Sequence, residues 1–249
     1  KAWAQEIVAL LGSLYPGNPK IEHYTASVLS TIGNYRGLQL VKTAHQSASF
    51  LESLFAGFDM DYLSVPYQQD KYFFHSQKAI YDRLDDPTFS YSGPTSMGKS
   101  LLMRMFIKDR IVSGKEENFA IIVPTKALIS EITSSIIQDL KTLLEEKNYK
   151  VVNSAGALML NQPHNFIFVL TPERLLYLLI SNPEININYL FVDEAHKISA
   201  NDGRSAFYYK VVDMLSERPI KPHVIFASPN IPNPEVYLKL VPDIESKKE

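Results

Sequence analysis

Apolar residues along the chain follow two different rhythms, and the change falls near residue 70. Before it, Trp3, Ile7, Leu10, Leu11 and Leu14 recur at the spacing that lines one face of a helix, and so do Tyr24, Val28, Leu29 and Ile32. A third stretch carries Leu38, Val41, Phe50, Leu51, Leu54 and Phe55. Turn-forming residues interrupt these runs at Pro16-Gly17-Asn18-Pro19 and at Gly33-Asn34. Residues 1–69 therefore read as three or so helices packed as a bundle, an N-terminal helical extension with no chemical motif. His23 and His45 lie there singly, without the clustering that a metal site needs.

After residue 70 the pattern becomes short β-rich runs separated by helical stretches. The predicted strands are Phe89–Ser92, Phe119–Val123, Phe166–Leu170, Tyr189–Val192 and Val224–Ala227, with Val151-Val152 as a short sixth. Helices are predicted around Lys99–Val112, Leu128–Glu146, Pro172–Ile180 and Ser205–Leu215. Strands alternating with helices imply βαβ units, hence an α/β domain over residues 70–249 with a mainly parallel sheet between helices. Ligands of such sheets bind beyond the carboxyl ends of the strands.

Composition narrows the picture. Hydrophobic residues make up 45% of the 249-residue chain and charged residues 21%, enough to build a core. The net charge of −2 excludes a general polyanion binder, so any grip on nucleic acid comes from a local patch. With no cysteine, a disulfide framework, a thiolate metal site and a thiol nucleophile are all excluded. No apolar run approaches the roughly 20 residues of a membrane span. The chain begins without Met and ends in the charged run 245–249. It reads as a soluble, cytoplasmic protein with no membrane partner, cut from something longer.

The chemistry begins where the first strand ends. Gly93-Pro94-Thr95-Ser96-Met97-Gly98-Lys99-Ser100 matches the full pattern G-x-x-x-x-G-K-[ST]. At that spacing successive backbone N–H groups curl around a polyphosphate, and the helix that follows adds the positive end of its dipole. Gly93 and Gly98 let the backbone approach where a Cβ would clash. Lys99 is placed to reach the β- and γ-phosphates, and the Ser100 hydroxyl to coordinate Mg²⁺. A chain of this length matches by chance about once in a hundred.

A second motif follows the strand Tyr189–Val192. Asp193-Glu194-Ala195-His196 delivers two adjacent carboxylates from an apolar strand, which is costly unless a cation or a reaction uses them. Asp193 is expected to hold Mg²⁺ opposite Ser100, and Glu194 to orient and deprotonate the attacking water. His196 has no metal-ligand partner at i+4 and reads as a coupling or hydrogen-bonding member of the same catalytic set rather than a zinc ligand.

Together these motifs resemble the first RecA-like domain of a superfamily-two helicase of the DEAD/DEAH kind, and are most similar to its superkiller-like branch. Pro124-Thr125-Lys126-Ala127-Leu128 resembles motif Ia, and Thr171-Pro172-Glu173-Arg174-Leu175 resembles motif Ib. Gln77 sits where the family has an adenine-reading glutamine, with Phe73 and Phe74 nearby. The resemblance implies ATP and Mg²⁺ as cofactors and single-stranded nucleic acid as partner, DNA ahead of RNA. Thr125, Lys126, Thr171 and Arg174 are then the residues that grip the sugar-phosphate backbone.

Two departures qualify that resemblance. Motif III is normally Ser-Ala-Thr, but Val224–Ala227 runs into Ser228-Pro229-Asn230. Pro229 removes a backbone donor and fixes φ, so the coupling expected of Ser228 and Asn230 differs from the family's. The sequence also contains no Gln-x-x-Gly-Arg-x-x-Arg stretch. The resemblance therefore implies an N-terminal helicase fragment without its second RecA-like domain and arginine finger, nearly inactive alone because such a finger is worth about 10³–10⁵ in turnover. Two other readings stay open: a P-loop ATPase that does not act on nucleic acid, and a regulatory module locked by nucleotide.

Overall fold

A computed structural model describes residues 2–41, 50–68, 70–154, 164–200 and 203–241. His45 and the charged run 245–249 lie outside the described residues. The chain divides into two compact units, Lys1–Ala79 and Ile80–Glu249, somewhat beyond the change of pattern near residue 70.

The first unit is helical: α1 (Ala2–Leu14), α2 (Pro19–Thr31), α3 (Tyr35–Leu38), α4 (Phe50–Leu63) and the start of α5 (His75–Tyr81). Asn18 caps α2 by accepting the Lys20 N–H at 3.0 Å, with Pro19 at the first helical position. Asn34 caps α3 in the same way through the Gly37 N–H at 2.9 Å. Val8, Ala26, Leu29, Tyr35, Leu63, Val65 and Phe73 are buried. The Tyr35 hydroxyl donates to Asp59 at 2.8 Å, and burial with that carboxylate raises its pKa. The helices leave part of their apolar stripes uncovered. Trp3 is 80% exposed, and Ile7, Leu10, Leu14, Leu51, Leu54 and Phe55 are exposed as well. Helical spacing shows that a helix has an apolar face; it does not say which neighbour covers it.

The second unit carries β1 (Thr88–Ser92), α6 (Lys99–Val112), β2 (Phe119–Ile122), α7 (Lys126–Glu146), β3 (Tyr149–Val152), β4 (Asn165–Leu170), α8 (Pro172–Ser181), β5 (Tyr189–Val192), α9 (Ser205–Ser216) and β6 (His223–Ser228). All six strands are parallel, in the order β1-β6-β5-β2-β4-β3. β2 and β5 are buried at every residue, as continuous apolar runs between two helical layers must be. One side of the core gathers Phe168, Leu170, Leu179, Leu190, Val211, Val212 and Phe226 from strands and helices.

Register decides where the motifs emerge. Ser92 pairs with Ser228, Ile122 with both Leu170 and Val192, and Val192 with Phe226. Four strands therefore deliver Gly93, Pro124, Thr171 and Asp193 at the carboxyl end of the sheet, with Pro229 leaving β6 among them. β6 lies between β1 and β5, so the Ser228-Pro229-Asn230 turn stands between the glycine loop and the paired carboxylates.

Candidate nucleotide site and adjoining loops

After β1 the chain makes a 3₁₀ turn over Thr95–Met97 and enters α6. Gly98 has φ 78° and ψ 37°, the left-handed conformation in which a Cβ is strained. Gly93 is buried, with the Met97 side chain against it. A Cβ built there would meet the Met97 Sδ at 2.5 Å and its Cε at 2.8 Å, so the Met97 side chain is packed onto the loop. Lys99, only 5% exposed, folds back across that loop: Nζ donates to the Gly93 carbonyl at 3.0 Å and to the Pro94 carbonyl at 3.4 Å. Thr95 and Ser96 are exposed, and Ser100 is half-buried in the first turn of α6.

Asp193 is 7% exposed at the end of β5. Burial pushes its carboxyl up to about 6; the Glu194 charge adds to that, while the Glu194 N–H and the Lys99 ammonium oppose it. The hydrogen bond from the Glu194 N–H to Asp193 Oδ1 is 3.0 Å long. Glu194 itself has φ 53°, a left-handed position rare outside glycine and asparagine, and starts the 3₁₀ turn Ala195–Ser199. His196 Nδ1 lies 3.3 Å from Glu194 Oε2 but is not aligned for a hydrogen bond. The Lys99 ammonium acts on the Asp193 carboxyl, so the two motifs lie close to one another. Among the described residues no group of three or more acidic or histidine side chains could hold a metal by itself. One buried carboxylate and one hydroxyl suit a cation that takes most of its ligands from phosphate oxygens and water.

The turn after β6 is stitched onto β1. The Gly93 N–H donates to the Ser228 carbonyl at 3.2 Å, and the buried Ser228 hydroxyl donates to the Tyr91 carbonyl at 3.3 Å. The Ser92 hydroxyl donates to the Pro229 carbonyl at 2.8 Å and accepts the Ile231 N–H at 2.8 Å. Asn230 is exposed. Ser92 carries no motif signal, and its role shows only once β1 and β6 are paired.

Thr125 is the N-cap of α7 and accepts the Leu128 N–H at 3.3 Å; Lys126 is exposed beside it. This cap starts α7 two residues ahead of the predicted Leu128. Thr171 is the N-cap of α8 but is buried, and its hydroxyl hydrogen-bonds Glu173. That hydroxyl is engaged within the protein in this structure. Arg174 is half-buried and Nη1 donates to the Asn153 carbonyl at 3.3 Å. Gln77 belongs to the first unit and is buried, not exposed as a lone helical glutamine usually is. Its Oε1 accepts the Phe74 N–H at 3.0 Å and closes the first turn of α5. Phe73 is buried, and Phe74 is exposed under the Arg36 guanidinium.

A family model, DEAD/DEAH box helicase, matches residues 75–236, more than half of the chain. The chain belongs to the DEAD/DEAH box helicase family. It is 24% identical over 188 residues to an uncharacterized ATP-dependent helicase of Methanocaldococcus jannaschii, an alignment covering 69% of this chain and 27% of that protein. The chain thus spans about a quarter of that relative's length. Among solved structures it is similar to the helicase domain of Hef from Pyrococcus furiosus, with TM-score 0.51 and 19% identity over 66% of this chain and 36% of that one. It is also similar to the Mycobacterium smegmatis helicase Lhr bound to ssDNA and AMP-PNP, with TM-score 0.51 and 19% identity over 64% and 23%. These likenesses place the sheet in the RecA-like fold of DEAD/DEAH helicase domains. Among the described residues no helix is long and apolar enough to cross a membrane.

Proposed function

We propose that this DEAD/DEAH domain is the nucleotide-binding half of an ATP-driven helicase or translocase that moves on single-stranded nucleic acid. The observation that carries this is the meeting of the Gly93–Ser100 loop with the buried Asp193 carboxylate at one end of a parallel sheet, within the field of Lys99. Lys99 would exchange the Gly93 and Pro94 carbonyls for phosphate oxygens. Ser100 and Asp193 would hold Mg²⁺, which neutralises charge developing on the phosphates. Glu194 would orient the attacking water and take its proton, with His196 beside it. Gln77, within the segment matched by the family model, is proposed to read the adenine.

Thr125, Lys126 and Arg174 supply a hydroxyl, two charges and helix N-termini next to that site, a set that positions a sugar-phosphate backbone without reading bases. These groups address phosphate, which DNA and RNA share; DNA is proposed as the first strand to test, with RNA as the comparison. A second RecA-like domain, which supplies the arginine finger and the other half of the strand track, is proposed as the partner. A cytoplasmic setting is proposed with it. The test is the ATPase rate of the full-length protein with and without single-stranded DNA and RNA at low salt. Stimulation by a strand, lost in Lys99→Ala and Glu194→Gln, is the expected result. Unstimulated turnover would favour an ATPase of another kind, and nucleotide binding without turnover a regulatory module.

A further inference from the structure

Arg204 stands between the Ala195–Ser199 turn and α9, in a segment that none of the motifs covers. Its guanidinium is shared between two loops that leave two different strands. Nη1 donates to the Pro124 carbonyl at 2.7 Å, just beyond β2. Nε and Nη2 form a fork on the Glu173 carboxylate, at 2.5 and 3.0 Å, in the first turn of α8 beyond β4. β2 and β4 are paired neighbours, and the Val123 N–H still donates to the Leu170 carbonyl at 3.0 Å where the strands end. The sheet thus brings the two loops side by side, and Arg204 ties them together past its edge. Burial alone would raise the Glu173 carboxyl, but the Arg204 hydrogen bonds, the Thr171 hydroxyl and the backbone N–H outweigh it and hold it at about 2. The pair is therefore charged at any physiological pH.

We propose that Arg204 is a positioning residue for the strand-contacting loops. It fixes the distance between Thr125-Lys126 on one side and Arg174 on the other, so that both meet successive phosphates of one strand. This rests on the reading of these loops as nucleic-acid contacts. The rival role is a direct phosphate ligand, since the Arg204 and Glu173 side chains are 32% and 33% exposed and Arg204 lines a cavity of about 180 Å³ with Pro124, Thr125, Lys197 and Tyr208. Two features favour positioning: the charge is already matched by a bidentate carboxylate, and the remaining nitrogen is occupied by a main-chain carbonyl.

The two roles predict opposite signs for one substitution. A positioning role means that Glu173→Gln weakens binding as Arg204→Gln does, because both release the loops. A phosphate-ligand role means that Glu173→Gln strengthens binding, because it frees the guanidinium. The experiment is fluorescence anisotropy of labelled oligothymidylate and oligouridylate on the intact chain and these variants, across a salt series. The expected result is a loss of about tenfold in both variants, with the slope of log affinity against log salt unchanged. Arg204→Lys keeps the charge but cannot bridge two loops, and is expected to behave like Arg204→Gln. A gain in Glu173→Gln, a slope reduced by about one in Arg204→Gln, or full rescue by Arg204→Lys overturns the proposal. Amide hydrogen exchange supplies an arm that needs no ligand: Arg204→Gln should speed exchange at residues 124–129 and 171–176 together. Unchanged exchange in those stretches refutes the clamp itself. Faster exchange in a chain whose wild type binds neither oligonucleotide removes the nucleic-acid reading, and the positioning role with it.

Discussion

Two corners of the same sheet edge are built on different physics. The glycine loop after β1 is held by main-chain groups and by its own lysine: Lys99 lies across the Gly93 and Pro94 carbonyls, Met97 packs onto Gly93, and the Ser92 and Ser228 hydroxyls sew the neighbouring turn onto β1. The corner formed after β2 and β4 is held by side chains from elsewhere, through the Arg204–Glu173 pair and the Pro124 carbonyl. The first arrangement suits a site that must exchange one set of hydrogen bonds for a phosphate's. The second suits a surface whose spacing must stay constant while a strand passes. The difference teaches that the proposed phosphate loop is written in one contiguous stretch of chain, whereas the loops proposed to meet a strand are joined by a residue that no local pattern announces.

That contrast can be broken by mutation. The largest effect belongs to the first corner: in the full-length protein Lys99→Ala should lower ATP turnover by about 10³-fold, while strand affinity without nucleotide stays near wild type. Steady-state ATPase assays and anisotropy together check it, and equal losses in both would mean that the corners are one site. Ser92→Ala comes next. It removes a hydroxyl that both donates to Pro229 and accepts from Ile231, and should cost about 1–2 kcal/mol in denaturant unfolding, with Thr125 and Arg174 unaffected.

The second corner has a pH signature. The Glu173 carboxyl is held down to about 2 from an ordinary 4.5, so the pair's contribution is present in full above about 4.5 and is lost as pH falls towards 2. Thermal melts across that window should show a decline in wild type that is shallower in Glu173→Gln; parallel curves would deny the pair a role in stability. The smallest effect is expected in the first unit, away from both corners. Trp3→Ser should change stability by less than about 0.5 kcal/mol, because Trp3 is 80% exposed. A large loss of stability there would show that the exposed stripe on α1 is covered in solution.

Much of the second unit was legible without coordinates because its physics is local. Short apolar runs rich in β-branched and aromatic residues, such as Phe119–Ile122 and Tyr189–Val192, suit strands buried on both faces, and the glycine loop is a single stretch whose order encodes its shape. The reasons behind individual residues were less legible. Met97 packs onto Gly93, and the Thr171 hydroxyl and the Gln77 carbonyl oxygen hydrogen-bond within the protein. In the first unit the spacing of Trp3, Ile7, Leu10 and Leu14 announced a helix face correctly but left its surroundings open, and the structure turns that face outward.

The sequence by itself determined the alternation of strands and helices, the place of the Gly93–Ser100 loop and the adjacency of Asp193 and Glu194, since each is a relation among near neighbours in the chain. Only the tertiary structure decided that β6 stands between β1 and β5, that Ser92 meets Pro229, and that Arg204 joins Pro124 to Glu173. The reason is strand order. A parallel sheet brings together residues far apart in sequence according to which strands lie side by side, and that choice is made by the packing of whole layers rather than by any local run of residues.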